Sequence, residues 1–554
     1  MKSLRDQSVL VLGLGLSGLA MARWCVRCGA RVTVADTREQ APQRAALELA
    51  CPQARFISGP FSADWVQGQQ AVFKSPGLAP AEVAPVVEAA RALGLHVGNE
   101  LTLFAAALRE LAQETELAAG PLESVQPDKV LTGSTLADDL PAQARPDVVA
   151  DDPDDREPVF VPPPVSQHRG YRPCVLAITG TNGKTTVTSL TARLIARAGR
   201  KVAVAGNIGP TLLDTLTDCL EAGQRPQVWV LELSSFQLHD VDDFEPDAAT
   251  VLNLSEDHLD WHGSMQAYAD DKARIYGPSG LMVLNRDDSR VMAQRPQTQA
   301  RGKSRPALAR PYQTFGTDLP TRPGDWGLEQ VGGMTWLVRA APADQTIKRR
   351  KDEDEPVHIQ RLMPVEALRI RGRHNACNAL AALALASVTG CALAPMLHEL
   401  REYRGEPHRV EPIGVIEGIE FFDDSKGTNV GATAAALRGL GAERSLVLIL
   451  GGQGKGQDFS ALAEPVAAHA RAVVLIGRDA PLLQEVLTST AVPLYRATDM
   501  TDAVRQSFGL AQTGDAVLLS PACASFDMFR DYKHRAEVFC QAVRDLAQEQ
   551  GVML

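Results

Sequence analysis

Short apolar runs, each closed by glycine or a polar turn, alternate along the chain with longer stretches whose apolar residues recur every three or four positions. That alternation predicts βα units and mainly parallel sheets. Near the amino terminus, residues 9–12 and 31–35 read as buried strands joined by a helix over 19–28. In the middle of the chain, strands are expected at 175–178, 201–205, 228–233, 249–254 and 281–285. Val187, Leu190, Leu194, Ile195 and Ala198 lie at helical spacing and Gly199 closes the segment, so a helix opens at Lys184. Further strands are expected at 419–422, 445–450, 472–476 and 515–520. The fold class is therefore α/β in three domains. They are a Rossmann-like domain over 1–111, a P-loop-type mononucleotide-binding domain over 173–405 and a Rossmann-like carboxy-terminal domain over 406–554. Between the first two, 112–172 is rich in Pro, Asp, Ala and Gln and keeps neither period, which predicts a largely disordered insertion. Two tracts, 296–311 and 341–356 (the latter containing KRRKDEDE), read as surface loops of the second domain.

Composition narrows the class of protein. With 554 residues, 45% of them hydrophobic, the chain has core enough for several domains. The net charge is −11, and residues 112–172 alone hold 12 acidic against 5 basic side chains, which argues against a nucleic-acid partner. Nine cysteines show no metal-type spacing beyond Cys25-x-x-Cys28 in a helical stretch, so reduced core thiols are expected. Lys2 and Arg5 ahead of the apolar stretch 9–21 resemble a signal peptide, but Asp6 and the glycines Gly13, Gly15 and Gly18 oppose that reading. No run of eighteen apolar residues occurs. A cytoplasmic monomer without membrane insertion is expected.

The most informative junction is GTNGKTT (180–186), one residue past the apolar run 175–178. Its glycines let backbone N–H groups turn toward anionic oxygens, Lys184 adds a positive charge and Thr185 offers Mg²⁺ a hydroxyl. This predicts bound ATP or GTP. The spacing is shorter than GxxxxGK[ST], which would need glycine where the chain has Ile178. Polar residues gather at the ends of the following strands, where ligands bind in open α/β sheets: GNIG (206–209), ELSSFQ (232–237) and NLSEDHLD (253–260). Glu232 stands where an acid would share Mg²⁺ with phosphates. His258, beside Glu256, Asp257 and Asp260, reads as a metal or substrate contact; His239, His262, His358 and His398 lack such neighbours and read as structural or exposed. Lys272, in YADDKARIY, reads from spacing alone as a solvated surface lysine.

In the third domain, HRVE (408–411), DDSKGTN (423–429), GGQGKG (451–456) and SPACAS (520–525) offer glycine turns and single lysines suited to an anionic ligand. Near the amino terminus, GLGLSG (13–18) with Asp36 copies the dinucleotide fingerprint. That turn accepts any diphosphate, so a nicotinamide oxidoreductase and a UDP-sugar site both remain open at this point.

Taken in order, GLGLSG, DTR (36–38), KSPG (74–77), GTNGKTT, GNIG, ELSSFQL (232–238), SEDHLD (255–260), the Lys272 segment, RGRHNACNA (371–379), HRVE, DDSKGTN, GGQGKG and SPACASFD (520–527) resemble the Mur ligases. The resemblance spans nearly the whole chain; the acidic insertion and the two short loops lie outside it. It implies an ATP-dependent amide ligase that adds D-glutamate to UDP-N-acetylmuramoyl-L-alanine through an acyl phosphate in peptidoglycan precursor synthesis. It further implies a UDP site at Gly13, Gly15, Leu16, Ser17, Gly18, Asp36, Thr37, Arg38 and Gly77, with Asn207 near the muramoyl group. ATP would be held by Gly180, Thr181, Asn182, Gly183, Lys184, Thr185 and Thr186, with Asn375, Asn378, Arg409 and Asp424 around adenine and ribose. Thr428, Lys455, Ser525 and Tyr532 would grip D-glutamate. Two Mg²⁺ ions are implied, one at Thr185 and Glu232 and one at His258 and a carbamylated Lys272, with Lys184, His258 and Lys272 as the catalytic set. A family member adding L-alanine or a diamino acid is the alternative within the resemblance. A nicotinamide oxidoreductase has no use for GTNGKTT.

Overall fold

The computed structural model describes residues 3–118, 170–296, 298–299, 307–308, 310–343, 357–442 and 444–554. Most of the expected insertion, 119–169, and most of both loop tracts therefore lie outside the described residues. Residues 1–107 with 173–554 form one compact unit, and 108–172 a second. The helix Glu100–Ala118 runs seven residues past the boundary expected at 111, because Ala, Gln, Glu and Leu keep favouring it there. Within the second unit, the Tyr171 N–H donates to Thr115 Oγ1 (2.6 Å) and Arg172 pairs with Glu116 (2.7 Å).

The first domain is a parallel sheet of β1 (Ser8–Leu12), β2 (Arg31–Asp36), β3 (Arg55–Ser58), β4 (Ala71–Lys74) and β5 (His96–Gly98) in the order β3-β2-β1-β4-β5. The order reverses direction at β1, so a crevice opens beyond its carboxyl end, where GLGLSG leads into the helix Leu16–Arg27. Gly18 permits that helix to close on the strand: a Cβ there would lie 1.9 Å from the Gly13 carbonyl oxygen.

The second domain starts with β6 (Cys174–Thr179), β7 (Val202–Gly206), β8 (Val228–Glu232), β9 (Ala248–Val251) and β10 (Leu281–Asn285), all expected from the apolar runs. A two-stranded ribbon, β11 (Thr298–Gln299) with β12 (Ala307–Leu308), follows. Then come β13 (Tyr312–Phe315), β14 (Trp326–Val331), β15 (Met334–Pro342) and β16 (Val357–Pro364), giving a nine-stranded sheet ordered β16-β15-β14-β13-β10-β9-β6-β8-β7. None of these six strands was expected, and β11 and β12 stand inside the tract 296–311 read as a surface loop. β16 alternates half-buried and exposed residues, and β14 and β15 pair antiparallel through a Gly332–Gly333 turn, so none has the unbroken apolar run of a central strand. Between sheet and solvent the helices Lys184–Arg197 and Arg373–Ser387 pack together; the second is alanine-rich and buried from Ala379 to Ala386. Small side chains let two helices and a sheet approach closely, and each fully buried leucine contributes about 1.5–3 kcal/mol.

The third domain has β17 (Glu411–Ile416), β18 (Ile419–Asp423), β19 (Leu446–Gly451), β20 (Ala470–Ile476), β21 (Leu494–Arg496) and β22 (Ala516–Leu519) in the order β17-β18-β22-β19-β20-β21, parallel except for the β17–β18 hairpin. The first and second domains meet through polar contacts. Lys74 Nζ and Arg91 each pair with Asp240 at 3.1 Å, Asn99 donates to the Gln237 carbonyl at 2.9 Å, and the Leu213 N–H donates to Glu100 at 3.1 Å. Among the described residues no helix is long and apolar enough to cross a membrane.

Candidate active site

β6 stops at Thr179 and the chain turns through Gly180–Gly183 before a helix begins at Lys184, as the spacing predicts. Gly183 caps that helix at φ 84°, and a Cβ there would meet Asn378 Oδ1 at 2.8 Å, so glycine is required on both counts. Asn253 pins the turn. Its Oδ1 accepts from the Asn182 N–H (2.8 Å), its Nδ2 donates to the Asn182 carbonyl (3.0 Å), and its own carbonyl accepts from the Thr181 N–H (2.9 Å). Lys184 Nζ donates to the Gly180 and Thr181 carbonyls at 2.8 and 2.9 Å.

Lys272 overturns the surface reading taken from its spacing. It is 2% exposed, and its Nζ donates to the Gly180 carbonyl (3.0 Å) and Thr179 Oγ1 (3.2 Å) beneath the phosphate loop. Burial, reinforced by Lys184, pulls its pKa well below the ordinary lysine value. The helix Met265–Ala273 is weakly amphipathic and turns Asp271 and Lys272 inward, so polarity misreports its buried face. Asp271 bonds His262 Nδ1 and His239 Nδ1, both at 2.9 Å, and His262 Nε2 lies 3.0 Å from Ser235 Oγ. Both histidines are thus structural supports of the Lys272 helix.

Glu232 ends β8 and is 1% exposed. Its Oε1 accepts from Asn207 Nδ2 at 2.7 Å, while its Oε2 is buried with no hydrogen-bond partner. A buried carboxylate oxygen left unpaired is costly, and a cation is the partner its chemistry suits. Thr185 Oγ1 accepts from Arg409, which reaches across from the third domain (2.9 Å). Arg409 therefore sits on the phosphate loop itself. His258 adopts φ 54°, packs edge-on against Phe236 (ring centroids 4.7 Å apart) and lies 3.7 Å from Asp257; burial foremost lowers its pKa, favouring the neutral imidazole that a metal requires.

The loop, Glu232 and Arg409 border a cleft of about 700 Å³ between the second and third domains. Thr181–Thr186, Asn207, Glu232, Asn375, Asn378, Arg409, Asp424, Thr428 and Tyr532 line it, whereas Gly180, His258, Lys272, Lys455 and Ser525 do not. Asp424, 6% exposed, is pushed up to about 7 by burial and accepts from Ser520 Oγ at 2.6 Å. Among the lining residues that the sequence reading left without a role of their own, two carry ionisable groups that face the cleft. Lys426, whose pKa burial and Arg409 push down to about 8, faces the cleft with Tyr532 beneath its ammonium, and His374, half-buried and pushed down to about 4 by loss of water, leaves its buried Nδ1 unpartnered. Both stand inside motifs already noted, DDSKGTN and RGRHNACNA, so position within the motif was the available signal.

In the first domain, Asp36 is not free to meet a ribose. Its oxygens accept from the Leu14 N–H (2.7 Å) and from the Arg38 N–H, Nε and guanidinium, which hold its pKa down to about 2 against burial. Asp36 thereby braces the turn, and Thr37, Arg38, Leu16 and Gly77 are exposed beside it, with Gly15 and Ser17 half-buried.

Comparison with known proteins places these segments together. Residues 7–99 match the N-terminal domain of MurD-like Mur ligases, 178–310 the Mur ligase middle domain and 408–523 the Mur ligase glutamate ligase domain. The chain is 59% identical to the UDP-N-acetylmuramoylalanine–D-glutamate ligase of Polaromonas sp. JS666, with the whole of both chains covered. It belongs to the Mur ligase family. Two further Mur ligases of the same name, from Albidiferax ferrireducens and Burkholderia mallei, are 57% and 50% identical over at least 98% of each chain. Among solved structures, the MurF ligase of Thermotoga maritima in complex with ADP shares the fold (TM-score 0.52, 15% identity, 99% and 100% of the two chains).

Proposed function

We propose that this Mur ligase uses ATP to join D-glutamate to UDP-N-acetylmuramoyl-L-alanine in peptidoglycan precursor synthesis. The observation that carries the reading is the meeting, in one cleft, of the GTNGKTT loop, the unpartnered Glu232 oxygen and Arg409 from the third domain, in a chain 59% identical end to end to a ligase of that name.

A carboxylate acylates an amine poorly because oxide would have to leave. Transfer of the ATP γ-phosphoryl group to the L-alanyl carboxylate makes a mixed anhydride and ADP. The D-glutamate amine then forms the C–N bond, and phosphate departs with the C–O bonding pair. Lys184, Arg409 and Lys426 face the space where two anions must approach, and buried cations offset that charge more strongly than solvated ones. Gly180–Gly183 and the amino terminus of the helix at Lys184 hold the phosphates, and Asn375, Asn378 and Asp424 border the same cleft for the nucleoside. Thr37 and Arg38 on the braced first-domain turn receive the UDP group, and Asn207, fixed by Glu232, meets the muramoyl end. Thr428, Lys455, Ser525 and Tyr532 belong to loops of the third domain that receive D-glutamate.

Mg²⁺ would be held by Thr185 and Glu232, and a second ion by His258 and Lys272, supplying charge neutralisation for phosphoryl transfer. The donor set fits, provided Lys272 is anionic. A lysine whose pKa is lowered this far exposes a neutral amine, which adds CO₂ to give a carbamate and a proton. The deciding assay is phosphate release from ATP with UDP-N-acetylmuramoyl-L-alanine and each candidate amino acid. Turnover with D-glutamate alone is expected; turnover with L-alanine or a diamino acid in its place would refute the substrate reading.

A further inference from the structure

We propose that Arg535 is the positioning residue of the amino-acid pocket: one buried guanidinium ties together the three segments that carry Thr428, Ser525 and Tyr532. The inference rests on the D-glutamate reading of those segments and adds the device that sets their spacing.

Arg535 lies on the helix Tyr532–Glu549, one turn beyond Tyr532 and on the same face, and is 1% exposed. One terminal nitrogen donates to the Ser425 carbonyl at 2.7 Å and the other to the Cys523 carbonyl at 3.0 Å. Ser425 stands three residues before Thr428, and Cys523 two before Ser525. The fourth element joins indirectly: the Gln453 N–H donates to the Ala524 carbonyl (2.8 Å) and the Ala524 N–H to the Gln453 carbonyl (2.9 Å), which ties the Lys455 turn to the same loop.

Among the described residues Arg535 forms no ion pair, and its Nε has no hydrogen-bond partner. Burying a guanidinium with no carboxylate in contact is expensive even with Asp423, Asp424 and Asp527 acting on it from farther off, and a role confined to packing would be served at less cost by methionine or leucine. What the cation supplies is a rigid fork that spans two carbonyls far apart in sequence, which neither an apolar side chain nor a single ammonium reproduces. The Ser425 end is itself braced, since the Ser425 N–H and Oγ both donate to Asp423 Oδ1 (2.9 and 2.6 Å), and Asp423 Oδ2 meets His408 Nδ1 at 2.8 Å. The guanidinium therefore fixes the distance between the Thr428 and Ser525 loops and the start of the Tyr532 helix.

The test uses the full-length enzyme as wild type, Arg535→Lys and Arg535→Met, varying the amino acid, ATP and the UDP substrate separately. Arg535→Met is expected to raise KM for the amino acid on the order of 10- to 100-fold, as the loss of two charge-assisted hydrogen bonds predicts, with KM for ATP within about twofold and partial recovery in Arg535→Lys. Equal amino-acid KM in all three proteins, or a parallel rise in all three KM values, would overturn the proposal. If Arg535→Met does not fold, the same split read in Arg535→Lys decides. The amino acid varied is whichever one the wild type turns over, so a wrong substrate reading alters the wild-type result alone and leaves the variant comparison readable.

Discussion

Glu100 gives the sharpest test of the junction between the first two domains. It starts the helix Glu100–Ala118, accepts from the Leu213 N–H at 3.1 Å, and leaves Oε2 buried without a partner. Burial, with a contribution from nearby Asp214, pushes its pKa from 4.5 up to about 7. A raised carboxyl pKa means that the folded state prefers the protonated form. Its stabilising contribution is fully present below about pH 4.5 and is lost as pH rises through 7. At roughly 1.4 kcal/mol per pKa unit the whole effect is about 3 kcal/mol, of which about 2 kcal/mol falls between pH 5.5 and 8.5. Glu100→Gln keeps an acceptor for Leu213 and cannot ionise. It should therefore lose much less stability over that interval, whatever constant offset of about 1 kcal/mol its unpaired amide adds. The assay is amide hydrogen exchange in the helix Leu212–Glu221, compared between wild type and variant at each pH so that intrinsic exchange rates cancel. Protection that changes in parallel in the two proteins would refute the reasoning.

Two further outcomes are expected at the nucleotide loop. Gly183→Ala must adopt φ 84° and displace Asn378 Oδ1, which would lie 2.8 Å from the new methyl, so ATP affinity by calorimetry should fall by about tenfold or more, the strain alone being about 1–2 kcal/mol; affinity within twofold of wild type would show that the turn is not the cradle. For Lys272, turnover in CO₂-depleted buffer should fall and return on adding bicarbonate, while Lys272→Ala should be inactive with or without it. Unchanged rates in both experiments would dismiss the carbamate.

Much of the fold was legible because central parallel strands announce themselves as unbroken apolar runs: β6, β8, β10, β19 and β22 are each buried along nearly their whole length. The edge of the second sheet was not, since β14 to β16 are wet on one side and antiparallel. At the site, glycine and lysine within GTNGKTT were readable because the chemistry demands those residue types at adjacent positions. Lys272 was not, because a charged residue on a helix looks the same to spacing arguments whether it faces water or the underside of a phosphate loop. The Asp36 position shows the converse error. The fingerprint locates an acid correctly, but the acid's oxygens are spent on Leu14 and Arg38, and the residues left to meet a ligand are its neighbours.

The same burial that hid Lys272 explains why the cleft is built around cations whose charge is expensive. The pKa values of Lys184 and Lys426, which line the cleft with Arg409, and of Lys272 beneath the loop are all lowered, chiefly by loss of water. The carboxylates of Asp257, Glu232 and Asp271 partly offset the charge at Lys272, and those of Glu232 and Glu406 that at Lys426. A surface site with the same residues would keep its lysines hydrated and would gain little from a phosphate, because solvent screens the attraction. Removing water raises the cost of each cation and, by the same factor, the attraction it exerts on a polyanion. Domain contacts set that dielectric. Arg409 on Thr185 and Asn429 facing Asn182 at 3.4 Å bring the third domain over the loop, so the contacts that hold that domain in place also exclude water from the loop's cations.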